Sequence, residues 1–223
     1  MRSIVVIPAR NEAGLIARCL ESVQHARVPG SSVIVVADSC TDNTAAIARG
    51  FHGIDVIELN AANVGEARRA GIDHGLEGAD WIATTDADSV VPANWISDQL
   101  RLARTGSDVV VGTVRPDAAY LTPQQLRAWS ARHNPARPNG HVHGANLGIR
   151  ASAYLEVGGF RPLVEHEDVD LVERLRASGK IITPANSSEV LTSGRSFGRT
   201  PGGYARYLRS DLVELPAADE AIA

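Results

Sequence analysis

Short β-branched runs alternate with longer stretches of helical periodicity through the first half of the chain. Ile4 to Ile7 is a continuous apolar run, the pattern of a strand covered on both faces. Leu15, Ile16, Cys19, Leu20 and Val23 then form one stripe of a helix over 12–25. The alternation continues with a strand over Val33–Val36 and a helix around Ala45–Ala48, which Asp42 or Thr41 is placed to cap. A strand over Ile54–Leu59, a helix over Gly65–Leu76, a strand over Trp81–Thr84, a helix over 93–104 and a strand over Asp108–Val111 complete it. Such alternation predicts an α/β fold with a mostly parallel sheet flanked by helices.

The second half is less regular. Pro116, Pro123, Pro135 and Pro138 fall within residues 115–140, with a helix predicted over 123–133. A strand over Val142–Ile149, a short helix over 151–157 ending at Gly158-Gly159, and a helix over 165–178 ending at Gly179 follow. Lys180–Thr183 and Glu189–Thr192 read as two short strands. No linker interrupts the chain, so residues 1–223 read as one domain. Residues to about 112 form a nucleotide-binding half, about 113–210 an irregular acceptor half, and 211–223 an acidic, alanine-rich tail expected to be disordered.

Composition narrows the class. The formal net charge is -4, which argues against a nucleic-acid binder. The two cysteines, Cys19 and Cys40, support neither a disulfide scaffold nor a zinc ribbon. The first apolar run stops at Pro8, far short of the roughly 18 residues of a membrane span. A cytoplasmic protein is the expectation, with peripheral membrane association left open.

In sheets of this kind ligands sit at the carboxyl ends of the strands. Asp86 and Asp88 follow the fourth strand at i and i+2, which places both carboxylates on one side. Two carboxylates held together favour a hard divalent cation, Mg²⁺ or Mn²⁺, shared with diphosphate oxygens; the alternative is a solvated acidic turn. After the second strand, Asp38 is the acid best placed to meet a base or ribose. Asp42 reads as a helix cap and Cys40 as an ordinary loop residue. Neither a dinucleotide fingerprint nor a P-loop is present. Val164, Asp168, Leu171, Val172 and Leu175 fall on one stripe of the 165–178 helix. A carboxylate there must be paired, line a cavity or serve the helix start.

The segments Val6-Ile7-Pro8-Ala9-Arg10-Asn11-Glu12, Asp38 to Thr44 and Asp86-Ala87-Asp88 together resemble glycosyltransferase family 2, of the GT-A fold. The resemblance covers roughly residues 3–195. It implies transfer of a sugar, with inversion, from a nucleotide-diphosphate donor, UDP- or GDP-linked, to an acceptor hydroxyl on a small molecule, a glycan or a lipid-linked sugar. It implies that Pro8, Ala9, Arg10 and Glu12 line the nucleoside pocket and Asp38 reads the base. Asp86, with Ala87 beside it, would lie at the ribose side, and Asp88 would ligate the metal. Ala37 and Cys40 depart from the family's usual acid and serine.

Asn63 to Gly71 resembles the family's third-helix segment, in which Arg68 or Arg69 meets the donor diphosphate; the alternative is a surface arginine paired with Glu66. Glu167-Asp168 matches the Glu-Asp motif, which implies Asp168 as general base and Glu167 as a positioning group, with His166 beside them. His141 and His143 share a strand face, but zinc would need two further ligands that the sequence does not place. Gly144-Ala145-Asn146 resembles the acceptor-side strand, placing His143 and Asn146 in the cleft. No histidine follows His166 to complete a metal site; Arg195 stands at about that place and could hold the diphosphate in a fork. Arg199 and Gly202-Gly203 would form a lid. Two rival readings are an inactive nucleotide-sugar binding module and a sugar-phosphate nucleotidyltransferase. The latter would want a glycine-rich, basic loop after the first strand, unlike Pro8 to Glu12.

Overall fold

A computed structural model describes residues 1–134, 137, 138, 140–198 and 202–212. Seven strands form one sheet in the order β3-β2-β1-β4-β6-β5-β7. They are β1 (Ser3–Ala9), β2 (Ser31–Asp38), β3 (Ile54–Leu59), β4 (Trp81–Thr84), β5 (Val109–Pro116), β6 (Leu147–Arg150) and β7 (Ile182–Thr192). All neighbours run parallel except β6, which lies antiparallel to both β4 and β5. The mostly parallel expectation therefore holds, with β6 as the reversed strand.

The apolar runs are continuous because both faces of the sheet are covered. Val5 and Ile7 of β1 point to one core, Ile4 and Val6 to the other. Helices α1 (Ile16–Ala26), α2 (Thr44–Arg49) and α4 (Trp95–Arg104) cover the first face. Helices α3 (Val64–Gly75), α6 (Ala151–Glu156) and α7 (Glu167–Ala177) cover the second. The approach of α3 is close. A Cβ at Gly71 would stand 2.5 Å from the Val6 side chain, so glycine is required there.

Four expectations change. The strand read over Val142–Ile149 starts only at Leu147, because Gly144–Asn146 forms a 3₁₀ turn. The two short strands at 180–183 and 189–192 are one strand, β7, paired to β5 across a register shift between Gly112 and Val114. Helix α7 begins at Glu167, and Val164 is 54% exposed, so the buried stripe is Leu171, Val172 and Leu175 without it. Helix α2 is entered from Asn43. Asp42 instead stitches two loops, its Oδ1 accepting from the Thr44 N–H and its Oδ2 from the Ala13 N–H, both at 3.0 Å.

A smaller lobe stands over the carboxyl end of the sheet. It consists of α5 (Pro123–Arg132), opened by a Thr122–Gln125 capping box, and a short helix α8 (Gly203–Arg206) that continues as a π-helical turn to Asp211. Gln125 Nε2 donates to the Leu208 carbonyl at 2.8 Å and Arg132 donates to the Leu212 carbonyl, tying the two pieces together. No helix among the described residues is long and apolar enough to cross a membrane. Arg199 and the tail from 213 onward lie outside the described residues.

Candidate active site

A cleft of about 1490 Å³ opens at the carboxyl ends of β1, β2 and β4, between the sheet and the small lobe. Pro8, Ala9, Arg10, Glu12, Asp38, Arg68, Asp86, Ala87, Asp88, His143, His166, Glu167, Asp168 and Arg195 all line it. Asn146 does not. It is 1% exposed, accepts from the Trp95 indole N–H at 2.8 Å, and donates to the carbonyls of Thr113 and Ser188. It is a core amide joining α4, β5 and β7, and the acceptor-side role expected of it is withdrawn.

Strand-end loops carry the site, and their backbone is bent to do so. Among the described residues, the non-glycine positions with left-handed backbone are Asn11 (φ 53°), Ser39 (53°), Ala62 (51°) and His166 (61°). Asn11 sits between Arg10 and Glu12, and Ser39 follows Asp38; Ala62 and His166 line the cleft themselves. Each such conformation costs on the order of 1–3 kcal/mol and persists only where its surroundings enforce it.

Asp38 is one source of that enforcement. It is 3% exposed, and its carboxylate accepts from the backbone N–H groups of Ala61, Ala62 and Asn63 at 2.8–2.9 Å. Its principal work is to hold the loop after β3 against the end of β2.

The floor of the cleft is built on two arginines, each shared between two carboxylates. Arg68, 2% exposed on α3, donates to Glu167 at 2.9 Å and to Asp86 at 2.6 Å. It is not a surface partner of Glu66. Its Nη1 is buried and has no hydrogen-bond partner among the described residues. A Cβ at Gly144 would lie 2.3 Å from the same guanidinium, so a side chain there would push Arg68 off its carboxylate partners. Arg195 grips Glu12 through both terminal nitrogens, at 2.7 and 2.9 Å, and reaches Asp88 at 3.1 Å. The fork expected to hold a diphosphate is closed on protein carboxylates in this structure.

These surroundings set the acidities. Burial, then the neighbouring Asp86, push the Asp88 carboxyl up to about 7 despite Arg195 in contact. Burial also raises Glu167 and Asp168, with Arg68 opposing in each case. Asp168 Oδ2 accepts from the Gly144 N–H at 2.6 Å and Oδ1 from its own helix at Val169 N, which fixes the carboxylate facing the cleft. Burial, then His141, hold His143 down to about 4, so its ring stays neutral near neutral pH.

The donor set fits a divalent ion. Asp86 and Asp88 are hard oxygen donors in surroundings that leave Asp88 short of positive charge. No cluster of three or more His, Cys, Asp or Glu forms a ready metal cage among the described residues. Mg²⁺ or Mn²⁺ held by one or two carboxylates and substrate phosphates needs none.

Three features escaped the sequence reading: the Arg68 bridge, the Gly144 N–H that orients Asp168, and the aromatic wall of Trp129, Tyr204 and Tyr207. One signal for the wall was available. The chain has only three Trp, four Tyr and three Phe, so two tyrosines within Tyr204–Tyr207 are a local concentration.

Comparison with known proteins agrees with this layout. The chain is 28% identical over 194 residues to the succinoglycan biosynthesis protein ExoA of Rhizobium meliloti (strain 1021), covering 79% of this chain and 58% of that protein. Among solved structures, TarS 1–349 of S. aureus in complex with UDP-GlcNAc superposes with a TM-score of 0.71 at 16% identity, covering 92% of this chain and 62% of that one. The mannosyltransferase PcManGT of Pyrobaculum calidifontis, in complex with GDP-Man and Mn²⁺, gives 0.66 at 20% identity, covering 89% and 58%. At such identities the structural likeness speaks to the fold, which is GT-A. The model of glycosyl transferase family 2 matches residues 4–153, most of the sheet together with the Asp86-Asp88 edge, and the chain belongs to that family.

Proposed function

We propose that this protein transfers a sugar from a nucleotide-diphosphate donor, UDP- or GDP-linked, to an acceptor hydroxyl, with metal assistance and inversion at the anomeric carbon. One observation carries the reading: Asp168 and the Asp86/Asp88 pair face a single cleft, linked through Arg68 and Glu167. The donor would lie along the ends of β1, β2 and β4, its nucleoside against Pro8, Ala9 and Arg10. The loop pinned by Asp38 borders the base. The unpartnered Arg68 Nη1 offers a buried donor to a donor oxygen. Asp88 and Asp86 would hold the divalent ion. When bound, that ion stabilises the negative charge building on the leaving diphosphate.

Asp168 receives the proton of the acceptor hydroxyl as that oxygen forms its bond to the anomeric carbon. The bond from that carbon to the diphosphate breaks, and the nucleoside diphosphate leaves with the electron pair. A raised pKa suits Asp168 to this work, because a base with greater proton affinity takes the proton more readily. Glu167 and Arg68 hold the start of α7 against the Asp86 edge, so base and donor site keep their spacing.

The test is thermal unfolding against UDP, GDP, CDP and ADP, each with and without Mn²⁺. A ligand at about 100 times its Kd stabilises by about 2.7 kcal/mol, a shift of roughly 5–10 °C for a chain this size. A shift confined to UDP or GDP, dependent on Mn²⁺ and lost in Asp88→Ala, is the expected result. No shift with any nucleotide overturns the reading.

A further inference from the structure

Arg195 sits where the acids of the cleft converge. The chain is locked up to this residue. Ser193 and Gly194 are buried, a Cβ at Gly194 would stand 2.7 Å from the Asp117 carbonyl, and the Arg195 N–H donates to Ser193 Oγ at 3.3 Å. Beyond it the chain opens, with Phe197 77% exposed. From that pivot the side chain crosses to two loops, meeting Glu12 at 2.7 and 2.9 Å and Asp88 at 3.1 Å. Both acids are also tied elsewhere. The Glu12 N–H donates to Thr44 Oγ1 at 2.8 Å, and the Thr192 hydroxyl lies 3.5 Å from Asp88 Oδ1. The acid side chains are 7% and 12% exposed and the arginine side chain 25%. The guanidinium is therefore the movable member of a cluster whose anions are fixed. Asp86 adds a further negative charge beside Asp88. Buried carboxylates left together without a cation repel one another and lack water, so the guanidinium leaves them only as another cation arrives.

We infer that Arg195 is a built-in counter-cation that keeps the divalent ion's seat closed and surrenders it only when a nucleoside diphosphate enters; the inference rests on the transfer reading above. A guanidinium fork matches a carboxylate and a phosphate with the same paired hydrogen bonds. On arrival of the diphosphate, Arg195 can exchange Glu12 and Asp88 for diphosphate oxygens and keep its bonding. Asp88 is then free for the divalent ion. A divalent ion entering alone meets a cation already in contact with Asp88, and displacing it strands the guanidinium without an anion. Nucleotide and metal are therefore coupled through this one side chain, and the coupling is reciprocal.

The test follows Mn²⁺ by electron paramagnetic resonance at pH 8 in wild type, Arg195→Ala and Arg195→Lys, alone and with UDP or GDP. Without nucleotide, Mn²⁺ binding should be weak in wild type, several-fold tighter in Arg195→Ala, and near wild type in Arg195→Lys, which keeps the positive charge. One of the nucleotides should tighten Mn²⁺ binding in wild type by a larger factor than in Arg195→Ala. The melting temperature of each variant reports that it is folded. Arg195→Gln, neutral and closer in length, replaces the alanine variant if that one does not fold. Nucleotide-free Mn²⁺ binding no tighter in the folded neutral variant than in wild type overturns the inference. Equal tightening in Arg195→Lys and Arg195→Ala also overturns it, because charge would then not be what closes the seat. If no nucleotide tightens Mn²⁺ binding in wild type while Arg195→Ala still binds the ion more tightly, the transfer reading falls and the closed seat stands.

Discussion

Arg68 and Arg195 hold the cleft in the same way and to different ends. Each joins two carboxylates from distant parts of the chain. Arg68 is 2% exposed and ties Asp86, beyond β4, to Glu167 at the start of α7. Arg195 is 25% exposed and ties Glu12, in the loop after β1, to Asp88. A guanidinium buried between carboxylates is a structural joint, since removing it strands charges away from water. One at the rim is screened by water on its open side, although its partners Glu12 and Asp88 are themselves largely buried. The difference teaches that burial decides which bridge is fixed and which can be displaced by a ligand, although the charges are the same.

The largest effect tests the joint. Arg68→Met should cost about 3–5 kcal/mol by leaving Glu167 without its buried partner, a drop of roughly 6–20 °C in melting temperature. A variant melting within a degree or two of wild type would break the comparison. Next, Asp168→Asn should lower transfer about 10²–10⁴-fold while nucleotide binding stays, as read by product formation and melting shift. Its pH profile sharpens the point. The base works deprotonated and burial raises its pKa, so the acid limb of kcat/KM should lie above the ordinary carboxylate range and disappear in the variant.

Arg195→Ala is the contrasting case, with a stability loss smaller than that of Arg68→Met because the guanidinium itself is part-exposed, although Glu12 stays buried. Mn²⁺ binding without nucleotide, followed by electron paramagnetic resonance, should tighten because Asp88 is released from the guanidinium. A loss as large as that of Arg68→Met would erase the distinction between the two bridges. The smallest effect is a slope. Asp88, Glu167 and Asp168 all have raised pKa values in the folded chain. The folded protein therefore holds protons that the unfolded chain has lost, and stability falls as pH rises from the carboxylate range toward about 7, the raised value of Asp88. Melting temperature measured from pH 5 to 8 should show this decline, and Asp88→Asn should flatten it.

Strands β1, β2, β4 and β5 were readable because a strand covered on both faces leaves an unbroken apolar run, as in Ile4–Ile7, whereas the edge strand β3 showed itself by apolar positions broken by Asp55 and Glu58. The carboxylates of the site were readable for a related reason: polar residues directly after such runs must emerge at one edge of the sheet. Asn146 misled because it sits in a segment resembling a cleft strand, while its amide satisfies an indole and two carbonyls inside the core. Val164 misled because helical spacing continues on paper past the left-handed turn at His166, where the helix starts. The role of Arg68 was hidden by distance, its partners lying 18 and 99 residues away.

By itself the sequence determined the alternation of strands and helices, the edge on which ligands meet the sheet, and the acids gathered there. Local periodicity and strand ends encode these directly. Tertiary structure alone decided the reversed direction of β6, which arginine is buried, that Asp168 is aimed by the Gly144 N–H, and that Trp129, His143, Tyr204 and Tyr207 share one wall. Those outcomes depend on which distant segments exclude water together, and spacing along a chain carries no record of that.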